Sequence, residues 1–282
     1  MITKSGKTFD CIGMVHLLPL PGSPGFDELE GLQAVIDRAE RELDIYVKAG
    51  MSGVIFENFG DAPFFPGRVP PETVAAMTRV VTSCVSDVDP FSANESFFIG
   101  INVLRNDAMS ALAISKAVGA QFIRVNVHAG AAATDQGIIS GTAHETLRYR
   151  KAIGAENVLI YADVQVKHAT PLLQRSVLQE SEDLVSRALV DGALIYTGVA
   201  TGATPAADVL AQLPAVRKAL PKSKLLLGSG VSAENIASLA KLACNSLDGC
   251  IVGTSLKENG DVHNAVDESR VHALVKAMQT AL

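Results

Sequence analysis

The chain alternates eight times between a short apolar run, rich in β-branched residues, and a longer segment with helical periodicity. Continuous apolar runs are typical of strands that are covered on both faces of a parallel sheet. The predicted strands are residues 11–16, 53–57, 97–103, 121–127, 158–163, 193–197, 224–228 and 249–253. The predicted helices are residues 30–48, 71–85, 108–118, 141–153, 180–190, 205–220, 232–243 and 262–278. Eight successive β–α units form either a closed barrel or a large doubly wound sheet.

The positions of the polar residues favour the barrel. Polar side chains follow nearly every predicted strand: His16, Glu57, Asn58, Asn102, Asn126, His128, Asp163, Thr197, Ser229 and Thr254. A barrel brings all eight strand ends to one mouth, whereas a doubly wound sheet concentrates such residues at one switch point. The chain also has no early G-x-G-x-x-G motif of a dinucleotide-binding sheet. We therefore predict a single (β/α)₈ TIM-barrel domain that spans residues 1–282.

Composition excludes several classes of protein. Hydrophobic residues make up 48% of the chain and the net charge is −6, with no basic stripe, so a nucleic-acid partner is not expected. No run approaches the ~20 apolar residues of a membrane span, and no signal-peptide segment follows Met1. The four cysteines are well separated: Cys11, Cys84, Cys244 and Cys250. We expect reduced thiols, a cytoplasmic location and, because such barrels often pair, a homo-oligomer.

Two glycine-rich loops predict a phosphate site. The seventh predicted strand is followed by Gly228, Ser229 and Gly230 and then by a helix that begins near Ser232. The eighth is followed by Gly253, Thr254 and Ser255. In phosphate-binding barrels the anion lies between these two loops, where glycines bring backbone N–H groups close to it. The fold expected is thus a TIM barrel of the ribulose-phosphate-binding type. The alternative is that the glycines only form tight turns.

Strand alternation suggests the residues that carry the chemistry. Asp163 and Lys167 share a face, and a buried carboxylate needs a counter-charge, so Lys167 is predicted to pair with Asp163. Such a pair can transfer protons, or the lysine can form a Schiff base. The alternative is a structural ion pair that closes the top of the barrel. Arg124 is expected to bridge carboxylates inside the barrel.

Other polar residues complete the candidate site. Glu57 and His128 are further catalytic candidates, although His128 and His168 could instead be satisfied by backbone carbonyls. The candidate substrate-binding residues are His16, Asn102, Asn126, His168 and Thr197. Glu57, His16 and Asp163 could together hold a divalent metal, but no H-x-H or H-E-x-x-H motif supports one, and no cofactor is predicted.

Two connections are longer than usual, residues 58–70 and 164–179. Both follow strands and so lie on the face of the barrel that carries the polar residues. They could be lids over the mouth or part of a subunit interface, and Phe64 and Phe65 are the candidate partner surface. Asp135, within Thr134-Asp135-Gln136-Gly137, is expected to form a turn.

Several motifs resemble the BtpA family, which includes SgcQ-like proteins. They are M-V-H-L-L-P-L-P-G (residues 14–22), E-N-F-G-D-A-P-F (57–64), N-V-L-R-N-D (102–107), R-V-N-V-H (124–128), T-D-Q-G (134–137), A-D-V-Q-V-K-H (162–168) and G-T-S-L-K (253–257). The similarity runs from about residue 10 to the C-terminus. It implies a phosphate-binding barrel and gives weight to the loop of Arg105, Asn106 and Asp107, of which Arg105 is a further candidate substrate-binding residue. The photosynthetic namesake is associated with photosystem I assembly, and SgcQ-like members occur among sugar-utilisation proteins.

These observations lead to three hypotheses. The first is an isomerase- or lyase-like enzyme that acts on a small phosphorylated metabolite, such as a sugar phosphate. The second is a non-catalytic assembly factor, and the third is a metal-dependent phosphohydrolase.

Overall fold

Eight parallel strands close into a barrel in the computed structural model, which describes residues 9–86, 97–196, 206–243 and 246–281. The strands of these residues are β1 (Asp10–His16), β2 (Gly53–Glu57), β3 (Phe98–Asn102), β4 (Phe122–Val125), β5 (Ala131–Thr134), β6 (Gly137–Ser140), β7 (Leu159–Val164), β8 (Ala169–Pro171), β9 (Gly192–Tyr196), β10 (Lys224–Gly228) and β11 (Gly249–Val252). The helices are α1 (Gly31–Lys48), α2 (Pro71–Val85), α3 (Ala108–Val118), α4 (Ala143–Ala152), α5 (Val177–Ser186), α6 (Ala207–Ala219), α7 (Ile236–Ala243) and α8 (Glu268–Ala281). Around the barrel the strand order is β1-β11-β10-β9-β7-β4-β3-β2. The predicted (β/α)₈ fold is confirmed.

The predicted strands agree with the structure to within two residues at each end, whereas several helices start elsewhere. Helix α5 begins three residues earlier than predicted because Ser176 and Gln179 form a reciprocal capping box at its N-terminus. Helix α8 begins six residues later, since Lys257 and Val266 pair as an isolated β-bridge and hold the preceding segment in a loop. No helix within these described ranges is long and apolar enough to cross a bilayer.

The barrel interior is a compact apolar layer below the mouth. It contains Ile12, Met14, Ile55, Phe122, Tyr161, Leu194, Leu226 and Ile251. The rings of Phe122 and Tyr161 lie 5.1 Å apart, and Phe122 lies where a side chain on Gly100 would otherwise be. A larger apolar layer fills the space between the strands and the helices. Because the interior is filled with apolar side chains, it forms a floor beneath the polar groups at the carboxyl ends of the strands.

A second, three-stranded sheet covers one side of the mouth. Strands β5 and β6 form a hairpin, and β8 pairs antiparallel with β5, giving the order β6-β5-β8. The hairpin turn contains Gly137 at φ +99°, and Thr134 Oγ1 donates to Gly137 O at 2.9 Å. The turn expected around Asp135 is therefore present. The sheet joins the segment after β4 to the segment after β7, and its three strands lie in stretches that were predicted to be loops.

A buried ion pair ties α1 to the segment that follows β11. Lys257 Nζ lies 2.8 Å from Glu42 Oε2, and the two side chains are 0% and 2% exposed. The other carboxylate oxygen accepts from Arg38 Nε at 3.2 Å and from the backbone N–H of Val266 at 3.2 Å. Lys257 directly follows the short 3₁₀ turn Thr254–Leu256, so the pair fixes one of the two predicted phosphate loops on the barrel wall.

Candidate functional site at the barrel mouth

The ends of three adjacent strands bring together His16, Glu57 and Asn102. In the barrel register His16 pairs with Glu57, and Glu57 pairs with Asn102. Asn102 Nδ2 donates to Glu57 Oε2, and His16 Nε2 lies 3.7 Å from Glu57 Oε1. The ring of Phe59 stacks on His16 with a centroid separation of 4.5 Å. Glu57 is thus held in one orientation by groups on both neighbouring strands.

Burial shifts the pKa values of both Glu57 and His16. It raises the pKa of Glu57 above its ordinary value, although Arg124 and the hydrogen bond from Asn102 act in the opposite direction. Burial, with a further contribution from the charge of Lys257, lowers the pKa of His16 well below its ordinary value. The imidazole is therefore neutral at pH 7, and Glu57 is better suited than an exposed carboxylate to hold or release a proton.

Arg124 is the counter-charge of two buried carboxylates. Its Nε and Nη2 donate to Asp163 Oδ1 and Oδ2 at 3.0 and 2.9 Å, and its Nη1 donates to Glu57 Oε2 at 3.2 Å. Asn126 Nδ2 donates to Asp163 Oδ2 at 2.8 Å. The bridging role predicted for Arg124 is confirmed. The prediction that Lys167 serves as the counter-charge of Asp163 is corrected, since the two-pronged guanidinium fits the carboxylate and already bonds both of its oxygens.

Lys167 lies instead beside the first glycine-rich loop. Its Nζ donates to Ser229 Oγ. Burial and the charge of Arg124 lower the pKa of Lys167 to about 8, against the opposing charges of Asp163 and Glu57. The amine thus loses its proton more readily than an exposed lysine does. The neighbouring His168 is exposed and lines the same cavity.

The two glycine-rich loops lie side by side. Ser255 Oγ donates to Val231 O at 2.7 Å and so links the loop after β11 to the loop after β10. Ser229 and Gly230 have φ of +73° and +70°, so the backbone turns sharply at these two residues, and turns of this kind can direct backbone N–H groups at an anion. Within the described part of the chain, the backbone N–H groups of Gly230, Thr254 and Ser255 make no hydrogen bond.

The helix after the first loop starts later than predicted. Helix α7 begins at Ile236, four residues beyond Ser232. The backbone N–H of Ser232 is bonded to Asn235 Oδ1 at 2.9 Å, and Asn235 Nδ2 donates to Gly230 O at 2.6 Å. Asn235 thereby fixes the loop, and the backbone N–H of Ile236 bonds Ser232 O at 3.0 Å, which closes one helical turn directly before α7.

Arg105 enters the cavity from the loop between β3 and α3. Its Nη2 donates to Lys167 O, and its backbone N–H donates to Phe65 O at 3.0 Å. The next residue, Asn106, bonds both the N–H and the carbonyl of Val127, at 2.8 and 2.9 Å. Asp107 caps α3 by accepting from the N–H of Ser110. Asn106 and Asp107 therefore hold in place the loop that carries Arg105.

These groups surround one cavity of about 550 Å³ at the mouth. Its wall includes the following predicted site residues: His16, Glu57, Arg105, Asn126, Lys167, His168, Ser229, Gly230, Gly253, Thr254 and Ser255. Three predicted residues lie behind this wall: Asp163 is covered by Arg124 and Asn126, Asn102 by Glu57, and Gly228 belongs to strand β10. Thr197 and Cys244 lie outside the described residues.

His128 does not belong to the cavity wall. Its Nε2 hydrogen-bonds to Ala188 O at 3.1 Å, and the side chain is buried away from the mouth. His128 does not share the face of Arg124 and Asn126, because β4 ends at Val125 and the alternation of a strand does not continue to residue 128. Its predicted catalytic role is therefore corrected in favour of the alternative, a backbone-bonded histidine.

The metal hypothesis needs Glu57, His16 and Asp163 to converge. Among the described residues there is no group of three His, Cys, Asp or Glu side chains placed to hold a metal ion. The oxygens of Asp163 face Arg124 and Asn126 instead, so this donor set does not form.

The aromatic residues of the long connection after β2 separate into two groups. Phe59 and Phe64 line the cavity, with ring centroids 6.5 Å apart, whereas Phe65 is 53% exposed. Only Phe65 of the pair predicted as a partner surface is exposed. Apolar side chains with a greater exposed fraction than Phe65 lie on and beside the small sheet. Ile138 is 67%, Leu172 54% and Leu173 69% exposed.

Sequence reasoning did not identify Asn235, Asp135 and the Glu42–Lys257 pair as parts of this region. Asn235 and Asp135 line the cavity. The signal for Asn235 was its spacing of three residues from Ser232, which is typical of a side chain that closes a turn onto the backbone. No local signal could have linked Glu42 to Lys257, since 215 residues separate them.

Comparison with known proteins shows one family over nearly the whole chain. The family model described as "BtpA family" matches residues 7–280. A protein from Synechocystis named "Photosystem I biogenesis protein BtpA" is 45% identical over 272 residues, which cover 96% of this chain and 88% of the relative. An uncharacterized protein from Pyrococcus furiosus is 42% identical, with 94% of this chain and 93% of the relative covered.

Solved structures support the same fold at low sequence identity. N-(5'-phosphoribosyl)anthranilate isomerase from Pyrococcus furiosus aligns with a TM-score of 0.55 and 14% identity over 97% of this chain and 99% of that chain. Phosphoribosyl anthranilate isomerase from Thermococcus kodakaraensis aligns with a TM-score of 0.56 and 13% identity, covering 96% and 99%. At this identity the likeness concerns the fold alone.

Proposed function

Because the chain belongs to the BtpA family and has a polar cavity at the barrel mouth, we propose that it is an enzyme that binds a small phosphorylated metabolite there. One observation carries the proposal: the N–H groups of Gly230, Thr254 and Ser255, on two hydrogen-bonded loops of the cavity wall, have no partner within the described residues. Buried or half-buried backbone donors are normally bonded, so a set without partners at a cavity indicates a ligand that accepts from them. The two fold neighbours named above are isomerases of phosphoribosyl compounds, which is consistent with this ligand class.

The proposed chemistry is proton transfer by Glu57 and Lys167. Both groups line the cavity, and both have a pKa displaced toward neutral pH. Asp163 is a positioning residue in this proposal, since it orients Arg124 and lies behind the wall. Asn126 adds a substrate contact, because its buried Oδ1 has no hydrogen-bond partner among the described residues. The reaction class is an isomerisation or a lyase-type cleavage of a phosphorylated small molecule.

We expect the protein to be stabilised by sorbitol 6-phosphate and not by sorbitol in a thermal-shift titration. Free ligand at 100 times its Kd adds about 2.7 kcal/mol of stability. Gly230→Val is expected to abolish the response because valine is strained at φ +70° and narrows the loop.

A matched control is available for that variant. Gly154, at φ +63°, lies between α4 and β7 at the opposite end of the barrel, and Gly154→Val introduces comparable strain. It should lower the melting temperature yet preserve the response to the phosphate. Equal responses to sorbitol and to its phosphate would contradict the proposed function.

Phosphate affinity is expected to fall above pH 8 because Lys167 loses its proton. With a pKa of about 8 in the free protein, the ammonium is charged below that pH, and a bound anion raises the pKa further. The dissociation constant should therefore increase about tenfold between pH 7 and pH 9. The phosphate monoester itself, with a second pKa of about 6, stays dianionic over this range.

Calorimetric titration of sorbitol 6-phosphate at several pH values measures the change in the dissociation constant. Lys167→Met should bind more weakly at pH 7, and its dissociation constant should not depend on pH. A steep profile that persists in Lys167→Met would exclude Lys167 as its source.

A second candidate function is that of an assembly factor. It is supported by the name of the Synechocystis relative and by the exposed apolar residues Ile138, Leu172 and Leu173 around the small sheet. A scaffold of this kind, or a homo-oligomer that uses the same surface, predicts that Leu173→Glu changes association without changing the response to phosphates. A pure scaffold also predicts no thermal response to any phosphorylated compound.

A further inference from the structure

Arg105 is a buried cation in the cavity wall. The residue is 8% exposed, and no acidic side chain of the described ranges lies within ion-pair distance of it. Its guanidinium has five N–H donors, of which one bonds Lys167 O. The segment that joins β9 to α6 contains neither Asp nor Glu, so its sequence offers no partner either.

The contrast with Arg124 shows what is lacking at Arg105. Arg124, in the same cavity wall, bonds two carboxylates with three of its N–H groups. Burying a charge without a counter-charge is costly, and proteins normally pair buried arginines or use them to bind an anion. Among the described residues, the guanidinium of Arg105 bonds one carbonyl, and the charges of Asp163, Glu57 and Asp135 act on it only from beyond ion-pair distance.

From this unpaired guanidinium we propose that Arg105 binds a carboxylate of the ligand, which therefore carries a phosphate at one end and a carboxylate at the other. The inference rests on the proposed function, since the phosphate end is the site formed by the two glycine-rich loops. A planar guanidinium binds a carboxylate through two parallel hydrogen bonds, which gives orientation as well as affinity.

The loop that carries Arg105 is preorganised for such contacts. Asn106 fixes it to both polar groups of Val127, and Asp107 holds the backbone N–H of Val69 at 2.9 Å as well as capping α3. The guanidinium is thus held in place before the ligand arrives, which reduces the entropy lost on binding.

Lys167 gives the spacing between the two anion sites. Its carbonyl contacts Arg105 Nη2, and its Nζ contacts Ser229 Oγ. The carboxylate and phosphate sites are therefore separated by about the length of one lysine side chain. A ligand with a chain of comparable length between its two acidic groups, such as a phosphorylated sugar acid, spans them, and Lys167 then lies alongside the atoms between.

Three probes that share a six-carbon chain test the proposal by calorimetric titration. They are 6-phosphogluconate, which has both groups, sorbitol 6-phosphate, which has the phosphate alone, and gluconate, which has the carboxylate alone. The native protein should bind 6-phosphogluconate at least about tenfold more tightly than sorbitol 6-phosphate, as expected for a charge-assisted hydrogen-bond pair. Arg105→Gln should reduce that ratio to near one while leaving the Kd for sorbitol 6-phosphate within about threefold.

Two further variants separate recognition from other effects. Arg105→Lys keeps the charge but loses the planar fork, and should retain only part of the preference. Arg187→Gln removes an exposed arginine on the barrel exterior (83% side-chain exposure) and should leave the ratio unchanged. A merely structural role for Arg105 would lower the affinity for both phosphates equally.

The outcomes are distinguishable. A ratio near one in the native protein, or the same ratio in Arg105→Gln, overturns the carboxylate site and leaves the phosphate site standing. Failure of sorbitol 6-phosphate and 6-phosphogluconate alike to bind the native protein overturns the proposed function and this inference with it.

Discussion

Replacing Lys257 with methionine is expected to lower the free energy of unfolding by about 3–5 kcal/mol, because removing one partner of a buried ion pair leaves the other charge uncompensated. Glu42 would keep only Arg38 and the N–H of Val266 as partners in a site from which water is excluded. Methionine matches the length of the lysine side chain, so the loss reports on charge rather than on a cavity. Urea unfolding followed by circular dichroism measures it.

A double variant and a surface variant complete this test. Glu42→Leu combined with Lys257→Met should recover most of the stability, since apolar replacements of buried ion pairs are often neutral or stabilising. Lys48→Met removes an exposed pair, with Lys48 Nζ 2.6 Å from Asp44 Oδ2, and should change stability little. A Lys257→Met protein as stable as Lys48→Met would show that the buried pair does not hold the loop after β11.

Arg124→Gln is expected to destabilise the protein by about 3–5 kcal/mol at pH 7 and by less at pH 5. The substitution leaves Glu57 and Asp163 as neighbouring buried carboxylates without the guanidinium that bonds both, and the pKa of Glu57, already raised by burial, should rise further above its unfolded value. The folded variant then binds more protons than the unfolded chain between pH 5 and pH 7. Because νU − νN is negative there, its stability relative to the native protein falls as the pH rises.

Unfolding curves at both pH values measure this effect. Arg124→Gln combined with Asp163→Asn should recover part of the loss at pH 7, since one carboxylate is removed. Arg124→Lys keeps the charge without the two-pronged contact and should be intermediate. An equal loss at pH 5 and pH 7 would mean that Arg124 acts through packing alone.

The barrel could be predicted from sequence because each strand carries its own signal. A run such as Gly53–Glu57 is buried on both faces, and its apolar character shows this without knowledge of its neighbours. The two glycine-rich loops could be located for the same reason, since their glycines and their position in the chain are local features. The small sheet was missed because Ala131–Thr134 is short and alanine-rich, with little β-propensity.

The partners of the charged residues could not be predicted in the same way. Alternation shows which face a side chain occupies, but the pairing of Asp163 with Arg124 depends on the register between β4 and β7, in which Arg124 lies opposite Tyr161. Lys167 lies beyond the end of β7 at Val164, where Gln165 has φ +55° and alternation no longer applies. The same limit explains the wrong assignment of His128.

The hairpin Ala131–Ser140 connects the outside of the molecule to the cavity. Strand β8, which is hydrogen-bonded to β5, starts two residues after Lys167, and Leu172 N donates to Ala131 O at 3.0 Å. Exposed Ile138 and the amine at the cavity therefore belong to one hydrogen-bonded unit. Under the proposed function, a protein that bound the hairpin would therefore contact the same hydrogen-bonded unit as the ligand in the cavity.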